Sequence, residues 1–415
     1  MKILHITPSY KPAYIYGGPI QSVGKLCETL VAAGKQKINE TKHSVDRPFV
    51  DNQHQNINVR VLTTTANGKT ELKVATGKPT LVEGVSVTYF RRWTKDHSHF
   101  SPALLLQLRK EVIRSKKNKN LIIHINAWWN LVSVLSCLIA KWYNVPVILS
   151  ARGMLSTYSK HNRNSLAKKL MHRFIGKNLL RYCYIHATSE QEKSEILEIT
   201  LPKGAVVIHN LLNIDYQHLN KDQVKKKQEV NSKFNIIFLS RIEQKKGLEL
   251  LFHALSSIDI PWHLTIAGSG EQDYVKRLKQ KAKDLLLDDR ITWSGQISDS
   301  DKFRLIARHD LFALTSYNEN FANVVIESLT VGTPVLISNE VGLADYVIDS
   351  GFGWVCSLTT EDIKAKILLA FNDSEKRTRI GLNAPDLIKQ DFSDKVLIEK
   401  YLQLYTEVVM KGYES

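Results

Sequence analysis

The chain has 415 residues, too many for one ordinary hydrophobic core, so two domains are the expectation. Its composition is that of a folded globular protein, and its longest apolar run, residues 131–140, is about half of what a membrane span needs, which argues against an integral membrane chain. The formal net charge is +16, and the four cysteines, Cys27, Cys137, Cys183 and Cys356, are scattered without C-x-x-C spacing, which argues for reduced thiols in a cytoplasmic setting and against a zinc site.

The opening MKILHITPSY is too short in its apolar part for a signal peptide, and ILHIT reads as a first strand. The loop PSYKPAYIYGGP leads to a helix expected from about Ile20 to Ala33, with Gly17 and Gly18 before it, where backbone can approach a ligand closely. Residues 35–58 are polar and without period, and are expected as a surface loop inserted between helix and strand. Strands follow at Val59–Thr65 and Val85–Arg92, then a helix at Ser101–Arg114 with Ser101 as N-cap and Pro102 in its first position. LIIHIN (Leu121–Asn126) is a buried strand. After it come a helix over 131–143, a strand over 146–150, a basic helix over 164–181, the strand YIHAT, a helix over 189–199 and a strand over 205–209. This alternation predicts a parallel, doubly wound sheet, whose ligands bind beyond the carboxyl ends of the strands.

Residues 213–233, with KKKQEVNSK, read as a linker, after which the pattern restarts. NIIFLSR, WHLTIAG and RITWSG are strands, separated by helices over 247–257 and 272–286. A helix over 299–308 precedes the strand–turn–helix–turn–strand unit Leu311–Ser338. GFGWVC, helices near 361–372 and 374–389, and a last helix over Asp394–Val409 complete the chain. The domains are thus expected at 1–212 and 234–392, with 393–415 crossing back onto the first.

Charge is unevenly spread: between Glu111 and Glu190 there is no Asp or Glu. Such a field attracts anionic surfaces, namely lipid head groups, lipid-linked diphosphates or nucleic acid; a solvated basic face without a partner is the other reading. Within it Ser165–Arg181 carries Leu166, Leu170, Phe174, Ile175 and Leu179 near helical spacing among Lys168, Lys169, Arg173, Lys177 and Arg181, the pattern of a basic amphipathic helix.

In Leu311–Ser338, Glu319 sits on the loop before the helix and Glu327 about two turns into it, so both can project toward one crevice. Backbone N–H groups at Asn323, Val324 and Val325 open that helix and attract anions, phosphate above all. As bare chemistry, a glutamate pair at this spacing also fits a solvated helix. The string Ser240-Arg241-Ile242-Glu243-Gln244-Lys245-Lys246-Gly247 closes a strand and opens a helix, placing Arg241 and Lys246 where a diphosphate would find fixed cations; a basic loop is the alternative. IAGSGEQ is a glycine turn that does not complete the dinucleotide fingerprint. Asp299-Ser300-Asp301 has metal-binding spacing but opens a predicted helix, where Asp is favoured electrostatically.

SYNENFANVVIESLTVGTPVLIS resembles the donor-binding motif of the retaining glycosyltransferases of family 4, which have the GT-B fold. Ser316, Glu319, Phe321, Glu327, Gly332, Pro334 and Val335 match the usual pattern, while Asn320 and Ala322 replace two glycines and Thr315 a proline. Ala322 narrows the space beside the phosphate. The 240–247 string resembles the family's Arg/Lys diphosphate motif, Ile266–Gln272 its nucleotide-side glycine turn, and Arg152-Gly153-Met154 the S-P-R-G-M segment of one branch, with Ala151 for Pro. Where the family commonly shows His-x-His, this chain reads His124-Ile125-Asn126, and an amide binds a hydroxyl but is no base.

The resemblance covers essentially the whole chain. It implies two Rossmann-like domains facing a central cleft, and transfer of a sugar from a nucleoside-diphosphate sugar to a hydroxyl of a glycan or lipid-linked acceptor in bacterial cell-surface polysaccharide assembly. Glu319, Arg241, Lys246 and Asn126 are implied in the chemistry; Glu327, Asn323, Val324, Phe321, Gly268, Gly270, Ser240 and Gly18 in donor binding; Gly17, Arg152 and His124 in acceptor or phosphate contact. No metal and no cofactor are implied, and no nucleic acid as partner; the expected location is cytoplasmic, in peripheral contact with an anionic membrane. A GT-B epimerase acting on the nucleotide sugar, and a polyanion-binding protein using the basic stretch, are the rival readings.

Overall fold

The computed structural model describes residues 1–43, 57–156, 176–214 and 233–414. In its first half KILHIT forms β1 (Lys2–Thr7), buried after Lys2, as a strand covered on both faces must be. It is followed by α1 (Gly18–His43), β2 (Asn58–Thr64), the hairpin β3 (Ala66–Asn67) and β4 (Thr70–Glu71), β5 (Pro79–Val82), β6 (Val85–Phe90) and α2 (Pro102–Ser115). Next come β7 (Leu121–Asn126), α3 (Leu131–Trp142), β8 (Val147–Ser150), α4 (Lys177–Tyr182), β9 (Tyr184–Ala187), α5 (Glu190–Ile199) and β10 (Gly204–Val207). Among the described residues the strands order as β10-β9-β8-β7-β1-β2-β6-β5, parallel except for β5, which pairs antiparallel to β6. Leu4, Ile6, Ile123, Ile125, Val147, Leu149 and Trp128 form the centre of its core.

The second half holds β11 (Phe234–Leu239), α6 (Leu248–Ser256), β12 (Trp262–Ala267), α7 (Gln272–Asp284), β13 (Ile291–Gly295), α8 (Asp299–Ala307) and β14 (Leu311–Leu314). It continues with α9 (Asn323–Thr330), β15 (Val335–Ser338), α10 (Ala344–Ser350), β16 (Gly353–Cys356), α11 (Thr360–Asn372) and α12 (Ser374–Phe392). These strands form a second sheet, ordered β13-β12-β11-β14-β15-β16 and parallel throughout. The last helix, α13 (Asp394–Glu414), packs on the first sheet, where the Tyr413 hydroxyl donates to the Leu121 carbonyl at 2.8 Å. The chain therefore divides into one unit of Met1–Asn213 with Asp394–Ser415 and a second of Ile214–Ser393.

Three local expectations change. The first helix begins at Gly18 and runs to His43 rather than from Ile20 to Ala33, so the loop expected from Lys35 starts as helix. Its Lys, Gln and Glu residues propagate a helix without an apolar stripe to announce it. Residues 44–56, the rest of that expected insertion, lie outside the described residues. The strands β3 to β5 have two to four residues each and no alternating pattern to reveal them. Of the expected basic helix only α4 is described; Leu166, Lys168, Lys169, Leu170, Arg173, Phe174 and Ile175 lie outside, as does 215–232 of the expected linker. Among the described residues no helix is long and apolar enough to cross a membrane.

Candidate active site

In the second unit the chain leaves β11 through Ser240 and Arg241 and makes one 3-10 turn, Gln244–Lys246, before α6. The expected pair of cations on a helix start is thus Arg241 ahead of a tighter turn and Lys246 at the end of it. Gly247 ends that turn in the left-handed region (φ 69°), where a Cβ would lie 1.9 Å from the Thr315 carbonyl oxygen. The close approach stitches this turn to the exit of β14: Thr315 Oγ1 donates to the Gly247 carbonyl at 2.9 Å, and the Tyr317 N–H to the Lys245 carbonyl at 2.8 Å. Glu319 is held by its own backbone, donating to the Glu340 carbonyl at 3.0 Å and accepting from the Gly342 N–H at 2.8 Å.

The two motifs read separately in the sequence meet here, since the ammonium of buried Lys246 donates to Glu319 Oε2. Burial pushes the Glu319 carboxyl up, but the charges of Lys246, Lys245 and Arg241 and the Lys246 hydrogen bond outweigh it and hold it below the usual carboxylate range. Burial dominates at Lys246 and lowers its ammonium despite Glu319. Arg241 is exposed and pairs with Glu243 at 2.8 Å.

Glu327 lies in α9, buried, with Oε1 2.8 Å from Nζ of Lys302 in α8; Lys302 also reaches Asp299 Oδ1 at 3.3 Å. Each glutamate therefore has a lysine of its own. The Asp-x-Asp spacing is a helix start: Ser298 caps α8 by accepting from the Asp301 N–H, and Asp301 pairs with Arg304. Among the described residues no group of three His, Cys, Asp or Glu side chains could hold a metal ion.

Other expected donor residues occupy structural positions. Phe321 is buried against Phe392, with ring centroids 6.3 Å apart. Ala322 caps α9 in the left-handed region (φ 63°), which explains why glycine is the usual residue here. Its carbonyl accepts from the Val325 N–H at 2.9 Å, so that N–H is engaged and does not await an anion; Asn323 and Val324 are half-buried. Gly268 (φ 140°) lets β12 close on Ser240, whose carbonyl oxygen a Cβ would approach to 1.8 Å, and Gly270 bridges to Ile242 beside it.

In the first unit the polar residues at the strand ends form a hydrogen-bond chain. His186 Nε2 is 2.9 Å from the Ile208 carbonyl, which only accepts, so that nitrogen carries the proton and Nδ1 accepts from Ser150 Oγ at 2.6 Å. Ser150 must then accept from His124 Nε2 at 2.7 Å, leaving His124 Nδ1 to accept from the Tyr405 hydroxyl at 2.7 Å. From the other end, Arg152 Nε donates to Asn126 Oδ1 at 3.2 Å, which turns the Asn126 amide nitrogen to His5 Nδ1 at 3.3 Å and puts the His5 proton on Nε2, 3.5 Å from the Tyr405 oxygen. Both derivations meet at Tyr405 without conflict. All three imidazoles are neutral and buried, and burial lowers each, His5 and His186 to about 3 and His124 well below its ordinary value.

His124 is consequently a core position with both ring nitrogens engaged, not an exposed contact, and Asn126 is the hinge between His5 and Arg152. Arg152 (φ 52°) sits on a turn pinned by buried Glu192, which accepts from the Gly153 N–H at 2.7 Å and the Thr188 N–H at 2.8 Å. Its guanidinium also donates to Ser22 Oγ at 3.2 Å and Asn210 Oδ1 at 3.0 Å; among the described residues it enters no ion pair with a carboxylate. Ser22 lies one turn after Gly18, the first residue of α1, and Gly17 (φ 70°) precedes it, so these glycines and Arg152 share one neighbourhood.

Sequence reasoning missed Lys302, Lys245, His5, His186, Tyr405 and Tyr401, whose hydroxyl lies 3.0 Å from His186 Nε2. Lys302 left a signal: it stands four residues before Ile306 on the buried stripe of α8, where a lysine is out of place unless paired. The tyrosines left none, because α13 has an ordinary apolar face.

A family model described as Glycosyltransferase Family 4 matches residues 52–216, and one described as Glycosyl transferases group 1 matches residues 220–387. An uncharacterized glycosyltransferase of Methanocaldococcus jannaschii is 24% identical over 57% of this chain, and the lipopolysaccharide core biosynthesis glycosyltransferase LpsE of Rhizobium meliloti is 26% identical over 41%. The chain spans only 61% and 48% of these relatives' own lengths. A crystal structure of Anabaena HepE in complex with UDP and glucose superposes with a TM-score of 0.67 at 21% identity, covering 98% of this chain and 100% of that one, a likeness of fold. With the two models side by side across most of the sequence, and two parallel-sheet units beneath them, the chain belongs to the family 4 glycosyltransferases and has the GT-B fold.

Proposed function

We propose that this protein transfers a sugar from a nucleoside-diphosphate sugar to a hydroxyl of a glycan or lipid-linked acceptor, with retention at the anomeric carbon. The observation that carries the reading is the pair of buried Lys246 and half-buried Glu319, with the charges of Lys245 and Arg241 nearby. Cations held beyond the carboxyl ends of β11 and β14 suit a diphosphate leaving group, whose charge rises as the glycosidic bond breaks. Lys246 and Arg241 take the diphosphate, Glu319 the hydroxyls of the transferred sugar and Glu327 those of the ribose. Asn323, Val324, Ser240 and the 268–270 turn border the donor. No side chain is asked to act as base at Asn126: the departing phosphate takes the acceptor proton while Asn126 and Arg152 orient the acceptor.

Arg152, held by three neutral oxygens, suits an anionic group on that acceptor, and Gly17 and Gly18 allow the acceptor close to the backbone. The cell-surface role rests on relatives such as LpsE, and peripheral membrane contact on the absence of acidic residues between Glu111 and Glu190. In this reading the fixed cations neutralise the leaving group without a metal ion.

A donor screen with purified protein, reading free nucleoside diphosphate with and without added acceptor glycans and with and without chelator, tests the proposal. Turnover that needs an acceptor and survives chelation is expected, with the product's anomeric proton coupling matching that of the donor. Turnover without any acceptor would favour the epimerase reading.

A further inference from the structure

The outer side of α3 has no part in the chemistry above. Its inner side, with Val132, Val134, Cys137 and Ala140, belongs to the core of the first unit. On a helix that covers a sheet, the side turned away from the core is ordinarily polar. Here Leu131, Leu135, Leu138 and Trp142 follow one another on it at helical spacing. Leu131 and Leu135 are half-buried, Leu138 is 37% exposed and Trp142 81% exposed. Lys141 is the only charged residue in the helix. A lone exposed leucine needs no explanation, but a continuous apolar stripe on the surface does.

Both helices beside α3 are basic. Arg109 of α2 ties that helix to the end of α3, its Nε donating to the Tyr143 hydroxyl at 2.9 Å, and α2 exposes Leu106 and Ile113 together with Lys110 and Arg114. Lys141 ties α3 to α4, its Nζ donating to the Asn178 carbonyl at 3.5 Å, and α4 exposes Lys177 and Arg181. The only carboxylate in α2, Glu111, is half-buried and taken by Arg60 at 2.9 Å, and no Asp or Glu follows it in sequence before Glu190.

We propose that α3, with α2 and α4 on either side, is the face by which the protein docks on an anionic lipid bilayer, and that Leu138 and Trp142 enter the boundary between headgroups and acyl chains. This rests on the peripheral membrane contact of the proposed function and gives that contact a face and an apolar anchor, neither of which charge alone supplies. An apolar stripe between two cationic helices matches a surface that is anionic outside and apolar just beneath. Tryptophan favours that boundary, because its ring is apolar and its Nε1–H can still reach a polar partner. A second copy of this chain is a poor occupant: a two-fold contact through the stripe sets one cationic flank against another. A nucleic acid would meet the cations and leave the leucines without apolar cover.

The test is flotation of the full chain with vesicles of mixed phosphatidylglycerol and phosphatidylcholine, and with vesicles of phosphatidylcholine alone. It compares the wild type with the double variants Leu138→Gln/Trp142→Gln and Lys110→Glu/Arg114→Glu, all of which should share one melting temperature because the altered side chains are exposed. The wild type should bind the anionic vesicles only. The apolar double variant should bind them about ten-fold or more weakly, and the charge-reversed one should lose them at low salt. Trp142 emission, taken as the difference between wild type and Trp142→Phe, should be quenched by acrylamide in solution. On anionic vesicles it should shift to the blue and be quenched by brominated lipid instead. Vesicle binding that ignores Leu138 and Trp142 would overturn the apolar anchor and leave a contact made by charge alone. A Trp142 shielded from acrylamide without vesicles, or a wild-type dimer that Trp142→Gln dissociates, would show the stripe already covered by protein and would overturn the proposal. A wild type indifferent to anionic vesicles would overturn the membrane contact as a whole, while sugar transfer is read separately by the donor screen.

Discussion

His124, within β7 of the first unit, and Lys246, beyond the end of β11 in the second, are both buried, yet they are held in opposite ways. His124 is neutral, its two nitrogens taken by Ser150 and Tyr405. Lys246 is paired with Glu319, and Lys302 with Glu327. The first arrangement has its directions of donation fixed at one end by the Arg152 guanidinium and at the other by the accepting Ile208 carbonyl, and no member can change partner without disturbing the next. The second consists of ion pairs between elements distant in sequence, and in the proposed function Lys246 shares its charge between Glu319 and a diphosphate. A neutral network suits orientation and docking of a helix; a lysine paired with a carboxylate keeps its charge, as the proposed diphosphate site requires.

The largest expected effect comes from breaking the charged side. Lys246→Ala leaves the half-buried Glu319 carboxylate without its hydrogen-bonding lysine and should cost about 1.5–3 kcal/mol of stability, besides weakening nucleoside-diphosphate binding. Adding Glu319→Gln should recover much of the stability and none of the binding; denaturant melts and calorimetry on the single and double variants read both. Arg241→Ala sharpens the contrast: exposed and paired only locally with Glu243, it should weaken nucleoside-diphosphate binding by about 1.5–3 kcal/mol and leave the melt unchanged.

On the neutral side, Tyr405→Phe removes the donor to His124 Nδ1 and should cost about 1–3 kcal/mol without touching nucleoside-diphosphate affinity, since Tyr405 belongs to the other unit. Acid should reach this side first. His5, His124 and His186 have folded pKa values below the unfolded value, so the unfolded chain binds protons that the folded chain refuses. Their contribution is complete above pH of about 6.5 and is lost as pH falls below it, for His5 and His186 down to about 3, at up to about 1.4 kcal/mol per pH unit for each histidine. Melting temperature followed down this range should drop less steeply in His186→Asn than in the wild type. A loss of stability on raising the pH from about 6 to about 8 would contradict the neutral assignment. The smallest effect is a gain: Ala322→Gly relieves a left-handed alanine and should stabilise by about 1 kcal/mol, detectable as a raised denaturation midpoint.

Much of the site was legible as residues. Glu319, Glu327, Arg241 and Lys246 stand in motifs whose local structure follows from turn chemistry and apolar runs, and strand–helix alternation predicts the two sheets. The Ala322 substitution was visible too, but read as crowding of the phosphate; its backbone conformation shows where the strain lies. The role of Gly268 changed in kind, because a close approach to the Ser240 carbonyl cannot be told from a close approach to a ligand by the letter G alone.

What the linear chain determined by itself is whatever depends on neighbours in sequence: strand and helix order, the glycine turns, the helix starts, the basic field between Glu111 and Glu190, and the motifs that place the chain in its family. What only the tertiary structure decided is how charge and hydrogen bonds are satisfied. Lys246 meets Glu319 across 73 residues, Lys302 meets Glu327 across 25, and Tyr405 meets His124 across 281. A buried polar group must find a partner somewhere, but its own segment does not say where. The partner is set by which strands lie side by side and which helix returns to cover them, so the composition of the site was readable in advance and its pairing was not.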